Sequence, residues 1–171
     1  DFIEESLWPW DDQVKFALIN SPLKTCDIRL PNGTTFSLNQ RDGSFSAYKN
    51  LLRNTLKRQS QSNIYEWISN TLYPTLEVEL PLKPPDAFTP ASWSQIRNYV
   101  SEGHKIAPHT KSHRILSMLS DKEAKFEIQQ SYDVLKSKVN GVTPALAYPT
   151  GRNDDFSIRE QRLCKEVGIC A

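Results

Sequence analysis

The sequence is short of several residue types, and each shortage excludes a class of protein. Its 171 residues include three cysteines, Cys26, Cys164 and Cys170, an odd number without the spacing of a disulfide framework or a thiolate zinc site. Cys164 and Cys170 lie in apolar surroundings and are predicted to be small buried side chains. No run approaches about 18 apolar residues, so no membrane-spanning segment is predicted. The net charge of only +1 excludes a general attraction to nucleic acid.

Glycine is also scarce, and three of the six glycines mark the ends of predicted helices. Gly103, Gly141 and Gly168 each follow a stretch of helical periodicity, at the position where a left-handed backbone terminates a helix. Short apolar runs come next and are predicted to be strands: 105–107, 145–148 and 169–171. Helix, glycine and short buried strand, repeated three times, predict an α/β fold with a parallel sheet.

Capping patterns locate the helices of this half. Ser92 followed by Gln95, and Ser120 followed by Glu123, have the spacing of a capping box. A third helix is predicted after the polar turn 153–155. The side chains predicted to be buried on the three helices are Ile96, Tyr99 and Val100; Ala124, Ile128, Tyr132, Leu135 and Val139; and Ile158, Leu163 and Val167.

Residues 1–88 have a different pattern of predicted elements. A helix is predicted over 11–20, and two β runs joined at Asn32 and Gly33 predict a hairpin. Two amphipathic helices and an extended, proline-rich connector over 80–90 follow. The apolar positions of those two helices are Tyr48, Leu52 and Leu56, then Ile64, Trp67, Ile68 and Leu72. We therefore predict a helical insertion carrying a hairpin at 1–88 and an α/β portion at 89–171.

All three histidines lie within ten residues, and two of them form a candidate metal site. His109 and His113 are four positions apart, directly after a predicted strand, so their imidazoles could reach a single ion. In α/β barrels, loops at this end of the strands build the active site. The alternative is a pair of surface histidines at a coincidental spacing. His104 precedes the strand and is interpreted as structural.

The turn at 148–152 is a second candidate. Proline and glycine around Thr150 fix an unusual backbone path, which can direct a free N–H toward an oxyanion. Arg152, Asp154 and Asp155 could contact a substrate, although the two aspartates suit a helix cap at least as well. An ordinary loop leading into a helix is the alternative interpretation.

Together these segments resemble a known family. WSQIR at 93–97 and EGHKIAPHTKSH at 102–113 resemble the second motif of the polysaccharide deacetylases, which are metal-dependent carbohydrate esterases. LSDKEA at 119–124 and AYPTGRNDD at 147–155 are similar to the sequence that follows, including the third motif. The resemblance runs over 93–171. It implies a partial distorted (β/α) barrel, with 1–88 as a helical, hairpin-carrying insertion.

The resemblance also implies residue roles. His109 and His113 match the two metal-binding histidines, and Thr150 matches the backbone donor to the oxyanion, where most members have an aromatic residue. Tyr148 and Arg152 are expected to contact the substrate, an acetylated polysaccharide or oligosaccharide. The implied cofactor is a divalent metal ion, zinc. Both imidazoles are then expected to converge on one pocket shared with Thr150.

Part of the family pattern has no match. The first motif, with the catalytic-base aspartate and the metal-binding aspartate, is expected upstream of residue 1, and the general-acid histidine downstream of residue 171. We therefore interpret the chain as a fragment of a deacetylase, inactive on its own. The alternatives are a non-catalytic relative that binds carbohydrate or a partner on the same scaffold, and a helical interaction module built on 1–88.

Overall fold

The computed structural model describes residues 3, 8–39, 52 and 54–170. The chain divides into two compact units, Ser6–Thr89 and Asp1–Glu5 with Pro90–Ala171. Over the described ranges, no helix combines the length and apolarity needed to cross a bilayer. Among the described residues, the α-helices and strands with defined bounds are α1 (Trp10–Asn20), β1 (Thr25–Arg29), β2 (Thr35–Asn39), α2 (Gln61–Trp67), α3 (Tyr73–Thr75), α4 (Trp93–Ser101), α5 (Asp121–Lys138) and α6 (Ile158–Val167).

The predicted hairpin is confirmed in the unit Ser6–Thr89. Strands β1 and β2 pair antiparallel, with Ile28 opposite Phe36, and Gly33 in the turn has φ +84°, a backbone conformation that glycine adopts without steric cost. Ile28 and Phe36 pack with Val14 of α1 in the unit's hydrophobic core. The predicted Tyr48 position lies outside the described residues, whereas Leu52 is fully buried in this core.

Helix α2 continues through a π-helical segment, Ile68–Leu72, into α3. The Tyr73 hydroxyl then donates a hydrogen bond to the Gln13 carbonyl at 3.0 Å. The prediction of an extended connector over 80–90 is wrong at Asp86–Phe88, which form a 3₁₀ turn. Phe88 packs there on Trp8, with ring centroids 5.5 Å apart, so an apolar contact holds the turn in place.

The capping boxes predicted at Ser92 and Ser120 are both present. A third, which the sequence analysis missed, begins α6 at Ser157. Two predicted core residues are wrong: Tyr99 is 51% exposed and Ile158 is 76% exposed. Tyr99 lies in the last turn of α4 and Ile158 is the first residue of α6, where apolar periodicity no longer distinguishes the buried face.

The three predicted parallel strands do not form as strands. Within the described residues, strand structure is limited to the β1–β2 hairpin and one parallel bridge between Ala145 and Cys170. The segment 105–108 adjoins this bridge, since the Ala147 N–H donates to the Pro108 carbonyl at 3.1 Å. Pro108 and Pro144 supply no N–H, so each interrupts a ladder. The fold is therefore mixed α and β.

The cysteines differ in exposure. Cys164 is fully buried, as predicted, and its pKa is raised by burial. The matching prediction for Cys170 is wrong, because this residue is exposed. The backbone of Cys170 forms the bridge to Ala145, whereas the side chain of the preceding residue, Ile169, is buried in the core. This alternation is expected for the two faces of an extended segment.

A buried carboxylate fixes the start of α6. Glu160 is fully buried and accepts hydrogen bonds from the Ser157 N–H at 2.7 Å, the Ser157 hydroxyl at 2.8 Å and Arg159 Nε at 2.8 Å. The Arg159 guanidinium also donates to the carbonyls of Leu116 and Leu119. Helix α6 is thereby joined to the turn that precedes α5.

Replacement of Glu160 by Gln is expected to lower the free energy of unfolding at pH 7 by about 3 kcal/mol. Burial acts to raise the pKa of Glu160, but hydrogen bonds from Ser157 and Arg159 outweigh it and the pKa lies below its ordinary value. A depressed pKa stabilises the fold above the unfolded-state pKa and loses that contribution as the pH falls through the folded-state value.

Urea titrations between pH 7 and pH 3 measure this dependence. The difference between wild type and Glu160→Gln should shrink on acidification; a difference that is constant across the range contradicts the prediction. Glu166→Gln is the matched control, because Glu166 forms an exposed pair with Lys125 and exposed pairs contribute little.

Candidate metal centre

The segment between Pro108 and His113 brings two imidazoles together. The ring centroids of His109 and His113 are 4.9 Å apart, with an interplanar angle of 65°. Both rings line one cavity of about 530 Å³. The segment is a bent turn rather than a helix, and Thr110 and His113 have φ +65° and +58°. Left-handed backbone is costly for residues other than glycine, and such positions are concentrated at functional sites.

A hydrogen bond fixes the tautomer of His109. Its Nδ1 lies 2.7 Å from the Ala147 carbonyl oxygen. A carbonyl can only accept, so Nδ1 carries the hydrogen and, in the neutral ring, Nε2 has the free lone pair. Histidines that bind metal usually donate their other ring N–H in this way. The arrangement leaves Nε2 of His109 as a potential ligand.

Apolar and polar residues both line the cavity. Trp93 and Ile96 come from α4, and Leu135 comes from α5. Thr110 also lines it; this residue is 8% exposed, and its hydroxyl is buried with no hydrogen-bond partner among the described residues. A buried hydroxyl without a partner is energetically unfavourable, so a further polar group is expected beside this atom.

The two histidines fit a divalent metal such as zinc. Two imidazoles that bind one zinc ion through nitrogens at about 2.0–2.1 Å have ring centroids about 5 Å apart, close to the 4.9 Å between His109 and His113. In the part of the chain that the structure describes, no group of three His, Cys, Asp or Glu side chains could hold a metal. The pair therefore fits two of the three protein ligands of such a site.

The turn that carries Thr150 is held by a buried aspartate. Asp155 is 5% exposed, and its Oδ2 accepts from the Thr150 hydroxyl and, at 3.0 Å, from the Arg152 N–H. Thr150 has φ +61° and is left-handed, like Thr110 and His113. Among the described residues, no atom accepts a hydrogen bond from the Thr150 N–H. The expectation of one pocket shared with Thr150 is wrong, because Thr150 does not line the histidine cavity; it lies three residues after Ala147, whose carbonyl is hydrogen-bonded to His109.

Tyr148 and Arg152 are not among the residues that line this cavity. The Tyr148 hydroxyl lies 3.9 Å from Cys164 Sγ, its ring stacks on Phe156 at 4.2 Å, and burial raises its pKa. Arg152 is exposed, and its guanidinium forms no ion pair within the described ranges. Their contact with a substrate stays a prediction from the family resemblance.

His104 lies apart from the other two histidines. It is exposed, is not part of the cavity lining, and forms a T-shaped pair with the ring of Tyr99, with ring centroids 5.8 Å apart.

The interpretation of Asp154 and Asp155 as helix caps is wrong, because Ser157 caps α6.

Glu127 is a residue that the sequence analysis missed. It is 5% exposed, and its carboxylate accepts hydrogen bonds from Ser112, the residue before His113. The helical periodicity of the sequence could have identified it, because Glu127 lies three residues after Ala124 and four before Ser131, within the buried stripe of α5. A carboxylate in such a stripe needs donors within the fold.

The family model described as polysaccharide deacetylase matches residues 47–166, which include both turns and begin inside the segment 1–88. No curated protein and no solved structure is significantly similar to the chain. Because the matched region is well over half of the sequence and contains the histidine pair and the Thr150 turn, the chain belongs to the polysaccharide deacetylase family.

Proposed function

We propose that this chain supplies two histidine ligands and the oxyanion donor of a metal-dependent deacetylase that hydrolyses acetyl groups from a glycan. The observation that supports this most is the shared cavity of His109 and His113, whose ring centroids are 4.9 Å apart. The family acts on acetylated polysaccharides. We assign the chemistry to 89–171 and regard 1–88 as the insertion.

His109 and His113 are the proposed metal ligands. His109 binds through Nε2, because its Nδ1–H is donated to the Ala147 carbonyl. When bound, a divalent ion such as zinc polarises the acyl carbonyl and makes water a nucleophile near neutral pH. Two neutral imidazoles and one carboxylate are a common ligand set for this chemistry, and the carboxylate is expected from outside this chain.

The Thr150 N–H is the proposed donor to the oxyanion that forms when water attacks the acetyl carbon. A backbone N–H that is held in place before the reaction stabilises the developing charge without reorganisation. Asp155 holds the Thr150 turn through its Oδ2. The exposed guanidinium of Arg152 is suited to hydrogen bonds with sugar hydroxyls. The Tyr148 hydroxyl faces Cys164 and one face of its ring stacks on Phe156, so its proposed contact with a sugar is through the opposite ring face.

The test is acetate release by the full gene product. We expect it to deacetylate an N-acetylglucosamine oligosaccharide or an O-acetylated xylo-oligosaccharide, to lose this activity after dialysis against a strong chelator, and to recover it with zinc. The two substrates distinguish amide from ester hydrolysis.

Two results would contradict the proposal in different ways. Acetate release that persists after complete metal removal would exclude a metal-dependent mechanism. Tight glycan binding without acetate release in the metal-loaded protein would instead support the non-catalytic relative.

A further inference from the structure

One residue of helix α5, Glu127, is hydrogen-bonded to the turn between the two histidines. Glu127 Oε2 accepts from the Ser112 N–H at 2.8 Å, and Oε1 accepts from the Ser112 hydroxyl at 2.6 Å. The Glu127 carbonyl accepts from the Lys111 N–H at 3.1 Å. Three hydrogen bonds therefore join Glu127 to the two residues that precede His113.

Glu127 lies on a rigid support. Helix α5 has 18 residues and begins with a capping box at Ser120, and the neighbouring side chains Ala124 and Ile128 are fully buried in a hydrophobic core. A carboxylate that is 5% exposed is tolerated only when its oxygens are satisfied. Here each oxygen has a donor from Ser112, so the position of the carboxylate and the position of the turn depend on each other.

The turn needs such support because its backbone is strained. Thr110 and His113 both have left-handed φ angles, which persist only where the surroundings determine them. Lys111 and Ser112 lie between these two residues, and both donate to Glu127. The two hydrogen bonds from Ser112 are made to the Glu127 carboxylate, and the one from Lys111 is made to the Glu127 backbone carbonyl, so a change of the Glu127 side chain removes the two from Ser112.

We propose that Glu127 is a positioning residue for the metal centre: by binding Ser112 it keeps the His109 and His113 rings at a separation that one ion can bridge. The inference rests on the proposed function. It assigns Glu127 no contact with metal or substrate.

The test compares zinc affinity, measured by competition with a chromophoric chelator, in variants of the full gene product. Glu127→Ala should weaken zinc binding by about 10–100-fold, as the loss of an outer-shell partner does. Glu127→Gln should stay within about threefold of wild type, because an amide can accept from the Ser112 N–H and donate to its hydroxyl. Ser112→Ala, which keeps the N–H, should weaken binding by about fivefold.

Ile128→Ala is the matched control for a merely structural effect. It should lower the urea midpoint, because Ile128 is fully buried beside Glu127, yet leave zinc affinity within about threefold. Zinc affinity unchanged in Glu127→Ala, or weakened equally in Ile128→Ala, overturns the inference. If Glu127→Ala does not fold, unchanged affinity in Ser112→Ala overturns it. Wild-type protein that binds no zinc overturns the proposed function, and this inference with it.

Discussion

Replacement of His109 or His113 by Ala in the full gene product is expected to abolish bound zinc and to lower kcat/KM by about a thousandfold or more, because the ion contributes several kcal/mol to the transition state. The two rings line one cavity, and among the described residues no third His, Cys, Asp or Glu side chain joins them in a group that could hold a metal. Zinc content by elemental analysis and acetate release measure both effects on the same preparations.

His104→Ala is the matched control for these variants. His104 is exposed and does not line the cavity, so its replacement should leave zinc content and activity near wild type. Retention of stoichiometric zinc by both His109→Ala and His113→Ala would place the ligands elsewhere in the protein.

Replacement of Asp155 by Ala is expected to lower kcat by about a hundredfold while zinc remains bound. Its Oδ2 is the acceptor for the Thr150 hydroxyl and the Arg152 N–H, and Thr150 has φ +61°. Without this acceptor the turn should relax and displace the Thr150 N–H. Displacement of a catalytic group by about 1 Å can cost a hundredfold in rate.

The neighbouring residue gives the control for Asp155. Asp154 is exposed, and the hydrogen bond that Ser117 makes to it uses the backbone carbonyl, so Asp154→Ala should leave kcat nearly unchanged. If Asp155→Ala folds, binds zinc and keeps kcat within about threefold of wild type, the Thr150 N–H does not depend on this turn for catalysis.

Local signals in the sequence predicted the local structure well. Ser92 and Ser120 cap their helices, and Gly33 turns the hairpin, because a cap or a tight turn is decided by a few neighbouring residues. The predicted parallel strands failed since a sheet depends on partners distant in sequence. Pro108 and Pro144 also remove donors that a continuous ladder needs.

The candidate site shows the same contrast between features that neighbouring residues decide and features that depend on the folded structure. The four-residue spacing of His109 and His113 was evident, and the structure brings their rings together. The left-handed backbone at Thr110 could not be predicted from residue type, because threonine has no preference for it. The partnership of Glu127 with Ser112 joins residues 15 positions apart and arises only when α5 packs beside the turn.

The central claim is that His109 and His113 hold one divalent ion. A crystal of the full gene product grown with zinc, with diffraction recorded on both sides of the zinc absorption edge, tests it most directly. We predict one anomalous peak about 2.0–2.1 Å from Nε2 of His109 and equally close to a ring nitrogen of His113. A zinc peak beyond the reach of either ring, with the turn folded as described, would contradict the claim.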